Sequence, residues 1–145
     1  MRILLTGSKG FIGRNIKRYY SRKGHEIVEI DKDVINLGND EMMACHRLQF
    51  VNELMKGCDL VIHCAGLADV RHSHEQTQQQ FEDNVVSTKT ILDSMVTYGV
   101  KQIIYLSTAI VNCSGCKWFN ANVGDYVTDV QVKMISISRN QFMVR

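Results

Sequence analysis

Thr6-Gly7-Ser8-Lys9-Gly10-Phe11-Ile12-Gly13 decides the reading of this chain. Just before it stands Ile3-Leu4-Leu5, a short apolar run that stops at glycine, as a strand covered on both faces would. Just after it, Ile12, Ile16 and Tyr19 or Tyr20 recur at helical spacing, and Gly24 stands where a helix C-terminus is capped. Each glycine has a physical reason between a strand and a helix. Gly7 allows the tight turn, Gly10 lets backbone approach a phosphate closely, and Gly13 permits close packing of helix on strand. Backbone N–H groups at the helix start, in the run Gly10-Phe11-Ile12-Gly13, are then turned toward an anion and helped by the helix dipole. The spacing is G-x-x-G-x-x-G rather than G-x-G-x-x-G. Turn chemistry alone could explain three glycines, but the strand before and the helix after them point to a dinucleotide pyrophosphate.

Working outward, residues 26–31 alternate and end on Asp31, about 20 residues beyond the loop. A carboxylate there accepts hydrogen bonds from the adenosine ribose hydroxyls and repels a 2′-phosphate, which favours NAD. Lys32 beside it partly offsets that repulsion and leaves NADP open. A very short strand is predicted at 34–37. Ala44, Leu48, Val51 and Met55 then mark one face of a helix that begins near Asp40 and ends at Gly57. Leu60-Val61-Ile62 is a fourth strand without polar alternation. Phe81, Val85, Thr88, Leu92 and Met95 form a second helical stripe stopped by Gly99, and Ile103-Ile104-Tyr105-Leu106 is a fifth strand. Strand and helix alternate as in an α/β domain, a Rossmann-type doubly wound parallel sheet of about five to six strands. After about Val111 the regularity fails: residues 112–122 read as loop, and 126–137 alternate like a strand or two.

Composition sets outer bounds. The chain has 145 residues, 45% hydrophobic and 22% charged, which fits one soluble domain. A net charge of +2 argues against nucleic acid and against an anionic membrane surface. The apolar start is too short for a signal peptide or a spanning helix, so a cytoplasmic location is the default expectation. Five cysteines without a secretory signal read as free thiols. Cys113-Ser114-Gly115-Cys116 lacks the second ligand pair of a zinc site, and His72 and His74 lack a third ligand, so no metal site is expected. Gln78-Gln79-Gln80 reads as a solvated helix face. His63, at a strand end with no acid placed to orient it, reads as a packed core histidine.

Residues 1–111 resemble the extended short-chain dehydrogenases/reductases, the nucleotide-sugar epimerases, dehydratases and reductases. The resemblance is carried by the loop 6–13, His63-Cys64-Ala65-Gly66, Asn84 and Tyr105-Leu106-Ser107-Thr108. It implies that Ala65 and Gly66 lie along the pyrophosphate and nicotinamide ribose of the cofactor. It implies that Asn36-Leu37 takes the place of an Asp-Leu pair that contacts adenine, with Asn for Asp. The short spacing from Asp31 to Asn36 is similar to the dTDP-4-dehydrorhamnose reductase branch. Asn84 resembles a helix asparagine near the active site, and Thr108 or Ser107 the hydroxyl that helps polarise the substrate.

The same resemblance implies a Tyr-x-x-x-Lys pair some two dozen residues past Thr108, in which lysine lowers the tyrosine's pKa for acid/base work. No such pair stands there: Tyr126 is followed at that spacing by Val130. The one match in the chain, Tyr19 and Lys23, lies in the first helix. The reading is therefore an NAD(P)-binding domain over 1–111 with a divergent tail over 112–145 that forms no separate domain, truncated relative to the family and without its catalytic pair. The alternative is an active nucleotide-sugar oxidoreductase or epimerase that takes its base from Tyr126 or from a partner chain. The resemblance alone supplies a nucleotide sugar as substrate class.

Overall fold

The computed structural model describes residues 1–33, 44–67, 77–108 and 131–137. They form strands β1 (Arg2–Thr6), β2 (Glu26–Ile30), β3 (Leu60–His63), β4 (Gln102–Thr108) and β5 (Gln131–Ile137). Helices α1 (Phe11–Arg22) and α2 (Ala44–Met55) precede a helix over 77–98 made of α3 (Thr77–Phe81), a π-helical turn (Glu82–Val86) and α4 (Ser87–Tyr98). All four strand pairings are parallel and the sheet order is β2-β1-β3-β4-β5. The strand expected at 34–37 and the start of the helix expected at Asp40 lie outside the described residues. Of the alternation expected at 126–137, residues 131–137 form a strand, β5, whose Gln131 pairs with Gln102 and Ile137 with Thr108, and 126–130 lie outside the described residues.

Successive side chains of a strand point to opposite faces, and both faces of this sheet are covered. Ile3, Leu5, Leu60 and Ile62 pack with Ile16 and Tyr20 of α1, together with Ile104 and Leu106. Leu4, Val61 and Ile103 turn the other way and pack with Val51 and Met55 of α2 and with Ile91 and Met95 of α4. That division explains why β1 and β3 read as unbroken apolar runs: every second residue meets a different helix layer. It also settles the first helical stripe on Tyr20, since Tyr19 is exposed. Gly24 and Gly99 follow the ends of α1 and α4. The His25 and Val100 N–H groups there return to the Tyr20 and Met95 carbonyls, the paired-bond ending expected of glycine stops.

The stripe expected along 77–98 is corrected. Leu92 and Met95 pack into the core, but Phe81 and Val85 are exposed. The reason is the π turn, whose wider ring inserts one residue into the helix. Within it and just before it the inward line moves from Phe81 and Val85 to Gln80, Asp83 and Asn84.

Candidate functional site

The chain leaves β1 for β2 on one side and returns for β3 on the other, so strand order reverses between β1 and β3. In open α/β sheets, ligands bind outside the carboxyl ends of strands at such a point. A cleft of about 180 Å³ lies there, lined from β1 by Gly7 and Gly10, from β2 by Ile30, Asp31 and Lys32, and from β3 by Cys64, Ala65 and Gly66. Asp83 and Ser87 close it from the helix.

The loop 6–13 is built as the glycines require. Gly7 has φ +64°, and a Cβ there would stand 2.8 Å from the Ala65 nitrogen, so the loop lies directly on the end of β3. The Gly7 N–H donates to the Ile30 carbonyl (2.9 Å) and the Gly7 carbonyl accepts from the Gly10 N–H (3.1 Å). A Cβ on Gly13 would run into the Gly7 carbonyl and lie 2.8 Å from Ser8 Cα. The close packing expected at Gly13 is thus helix against its own loop rather than helix against strand. Gly10 is the N-cap of α1 and offers no side-chain acceptor to the first turn, which also carries no acid. That opening, facing a cleft, suits an external anion.

Asp31 stands one residue beyond β2. Its carboxylate accepts the Lys9 N–H (2.7 Å) and the Lys32 N–H (2.8 Å). A carboxylate has about four lone-pair positions, so capacity for hydroxyl donors remains after these two bonds. Lys9 itself is drawn to Asp33, whose hydrogen bond raises the ammonium's pKa and lowers that of the carboxyl. Lys32 does not stand alone beside Asp31: its Nζ lies 2.7 Å from Asp83 Oδ2. The Asp83 side chain is only 2% exposed, and its Oδ1 has no hydrogen-bond partner among the described residues.

His63 is 1% exposed and stacks on Tyr105, which bears out a packed core histidine. Its hydrogen bonds also fix its tautomer. Thr6 Oγ1 accepts the Cys64 and Ala65 N–H groups (3.2 and 3.1 Å), which uses both its lone pairs. Its one proton therefore goes to His63 Nδ1 (2.7 Å). Nε2 then carries the ring proton and donates it to Thr88 Oγ1 (3.0 Å), which in turn donates to the Asn84 carbonyl (2.7 Å). Every group in this chain is satisfied only while the imidazole is neutral. Burial pushes its pKa down from 6.5 to about 4.

Asn84 reaches the loop after β3 rather than open space. Its Oδ1 accepts the Leu67 N–H (2.7 Å) and its Nδ2 donates to the Leu67 carbonyl (3.1 Å). Ala65 and Gly66 are thereby held from both sides, by Thr6 and by Asn84. Burial raises the Cys64 thiol to about 11, so it stays protonated at neutral pH. Ser107 and Thr108 fall at the carboxyl end of β4, on the same sheet edge as the cleft. Asn36, Leu37, His72, His74, Cys113, Cys116 and Tyr126 lie outside the described residues.

Tyr19 and Lys23 do meet, with the ammonium 4.5 Å from the ring centre. They stand at the end of α1 beside the amino-terminal edge of the sheet, where His25 reaches the Met1 amino group. This is the far edge from the cleft. Among the described residues there is no group of three metal-ligating side chains, and no helix is long and apolar enough to cross a membrane. Nothing in the sequence marks Asp83, Ser87 or the Thr6 hydroxyl as part of this site, and Lys32 is marked only by its place beside Asp31. Asp83 precedes Asn84 directly, but the 51-residue separation of its bond to Lys32 leaves no periodic trace.

A doubly wound parallel sheet with a glycine loop opening onto a helix start at its switch point defines a Rossmann-type α/β domain. Residues 3–114 match the NAD dependent epimerase/dehydratase family, and the chain belongs to it. It is 32% identical over 118 residues to UDP-glucose 4-epimerase of Corynebacterium glutamicum, covering 75% of this chain and 35% of the relative. Among solved structures it is similar to a dTDP-4-dehydrorhamnose reductase from Clostridium acetobutylicum, with a TM-score of 0.64 and 26% identity over 77% of this chain and 37% of that one. It is also similar to the UDP-glucose 4-epimerase of Thermus thermophilus in complex with NAD, with a TM-score of 0.61 and 26% identity over 75% of this chain and 38% of that one. The chain thus spans a little over a third of the length of these relatives.

Proposed function

We propose that this chain binds NAD in the cleft at the β1/β3 switch point and serves as the cofactor-holding part of a nucleotide-sugar epimerase, dehydratase or reductase. The observation that carries the reading is the start of α1 facing that cleft, where the N-cap Gly10 supplies no side chain, with Asp31 at the neighbouring strand end. The backbone of Gly7, Gly10, Phe11, Ile12 and Gly13 takes the pyrophosphate. Asp31 takes the adenosine ribose hydroxyls with its remaining lone pairs. Ala65 and Gly66 line the path toward the nicotinamide, and Asn84 holds that segment in place through Leu67. NAD, when bound, supplies a hydride acceptor. Ser107 or Thr108, at the carboxyl end of β4, offers a hydroxyl to substrate oxygen. Proton transfer is left to Tyr126 or to a partner chain, since the Tyr19–Lys23 pair lies at the wrong edge. The nucleotide sugar as substrate class rests on the family resemblance and on the similarity to UDP-glucose 4-epimerase and dTDP-4-dehydrorhamnose reductase.

Gly10→Asp tests the pyrophosphate assignment cleanly. Aspartate is a favoured N-cap, so its carboxylate accepts first-turn N–H groups and keeps α1 folded. The same carboxylate occupies the anion position and repels phosphate. Calorimetric titration with NAD should show affinity reduced at least about tenfold, with no fall in melting temperature. Unchanged NAD affinity in Gly10→Asp removes the pyrophosphate from this loop.

A further inference from the structure

The geometry points to Asp83 as a positioning residue that sets NAD over NADP by holding Lys32 away from a 2′-phosphate, an inference that rests on dinucleotide binding in this cleft. A lysine directly after the strand-end Asp31 is a ready partner for the phosphate that distinguishes NADP, because a nearby cation is what accommodates that group. Here the ammonium is already engaged. Lys32 is 59% exposed at its side chain, yet its Nζ sits 2.7 Å from the 2%-exposed carboxylate of Asp83.

The two partners differ in what they lose if the pair opens. Asp83 Oδ1 has no hydrogen-bond partner among the described residues, and the nearby Ser87 hydroxyl donates to the Asp83 backbone carbonyl instead of to the carboxylate. Among the described residues, Lys32 is the cation that compensates this buried carboxylate. Moving Lys32 to a phosphate would leave an uncompensated buried charge, so the lysine is not released at little cost. Lys9, whose backbone N–H donates to Asp31, is likewise drawn to Asp33. Asp31, Asp33 and Asp83 against Lys9 and Lys32 leave one net negative charge where a 2′-phosphate would bring about two more.

The π turn makes the arrangement possible. It rotates Asp83 and Asn84 inward in place of Val85, so the acid faces β2 across the cleft while Asn84 holds Leu67.

The test is a comparison of NAD and NADP dissociation constants for the full chain and three variants, at fixed moderate salt. Asp83→Asn keeps the side-chain shape but frees the lysine, and should cut the preference for NAD by about tenfold, mostly through tighter NADP. Lys32→Gln, at an exposed position, unshields Asp83 and should move the preference the other way by about threefold or more. In the Lys32→Gln background, adding Asp83→Asn should yield clearly less NADP gain than it does with Lys32 present. A merely structural role for Asp83 would weaken both cofactors alike and leave their ratio still. If wild type binds NAD and neither single variant shifts the ratio, the positioning role is overturned while NAD binding stands. If neither cofactor binds wild type, both this inference and the proposed function fall. Should Asp83→Asn fail to fold, NADP affinity in Lys32→Gln decides: a loss of more than about tenfold would show that Lys32 already reaches the 2′-phosphate and overturn the inference, and a smaller shift supports it.

Discussion

Acidification should destabilise this domain through His63, starting at a pH above the carboxylate range. The folded imidazole has its pKa pushed down from 6.5 to about 4 by burial. An unfolded chain protonates near 6.5, so below that pH the unfolded state binds the extra proton and stability falls as pH falls. Above 6.5 the contribution is fully present, and below about 4 its loss is complete. Linkage at about 1.4 kcal/mol per pH unit gives a loss of about 1.4 kcal/mol by pH 5.5 and about 3 kcal/mol by pH 4. That is a large share of the roughly 5–15 kcal/mol that stabilises an ordinary domain. The structural reason is that Nδ1 must accept from Thr6 and has no room for a proton of its own. Urea unfolding at pH 7.5 and 5.5 measures the effect, and His63→Asn isolates it. The variant should be less stable at pH 7.5, where it lacks the stacked ring on Tyr105, but should lose about 1 kcal/mol less than wild type between the two pH values. Equal losses in the two proteins, or a His63 ring that titrates near 6.5 by NMR in the folded state, would refute the tautomer assignment.

Three further outcomes are expected. Thr6→Val removes the acceptor of the Ala65 N–H, one of the two acceptors shared by the Cys64 N–H, and the donor to His63, and should cost about 2 kcal/mol in urea unfolding, most of which Thr6→Ser restores. Gly13→Ala drives a methyl into the Gly7 carbonyl backbone and should cost about 3 kcal/mol or prevent folding. At Gly10 a Cβ would stand 3.3 Å from the same oxygen, so Gly10→Ala should cost less than about 1 kcal/mol, and similar melting temperatures for the two variants would contradict the packing described.

Much of the fold was legible because its signals are local. Ile3, Leu4 and Leu5 are all buried, so their run shows as continuous hydrophobicity even though Leu4 faces a different helix layer from its neighbours. Gly7 and Gly13 stand out because each position excludes a side chain for a reason of backbone geometry, and Gly10 stands out by its spacing at the helix start. Gly24 and Gly99 stand out as helix stops in the same way. Asp31 was legible from its distance to the loop, and the alternation that yields β5 was legible without any knowledge of its partner strand. What periodicity could not deliver was the stretch before Ser87. Counting by helical turns assumes a constant rise and rotation, and on that assumption Phe81 and Val85 belong with Leu92 and Met95. One inserted residue breaks the count, and two large apolar residues end up facing outward.

The same insertion explains why the least legible residue of the site is the one that carries the most consequence. A π turn loosens the usual i to i−4 bonding, and such turns persist where something else satisfies the backbone. Here the hydroxyls of Ser87, Thr88 and Thr90 donate to the carbonyls of Asp83, Asn84 and Val86, each four residues earlier. In sequence these are three ordinary polar residues at the start of α4. In space they hold a distortion that turns an acid and an amide toward the cleft, and Thr88 joins the same hydroxyl row to His63 and so to β1 and β3. The turn is thus anchored to the sheet by the same hydrogen-bond chain that places Ala65, and the position of Asp83 across from Lys32 follows from core packing rather than from a surface loop. Long-range polar order of this kind has no repeat to count. It becomes visible only when donors and acceptors are matched one by one across the sheet.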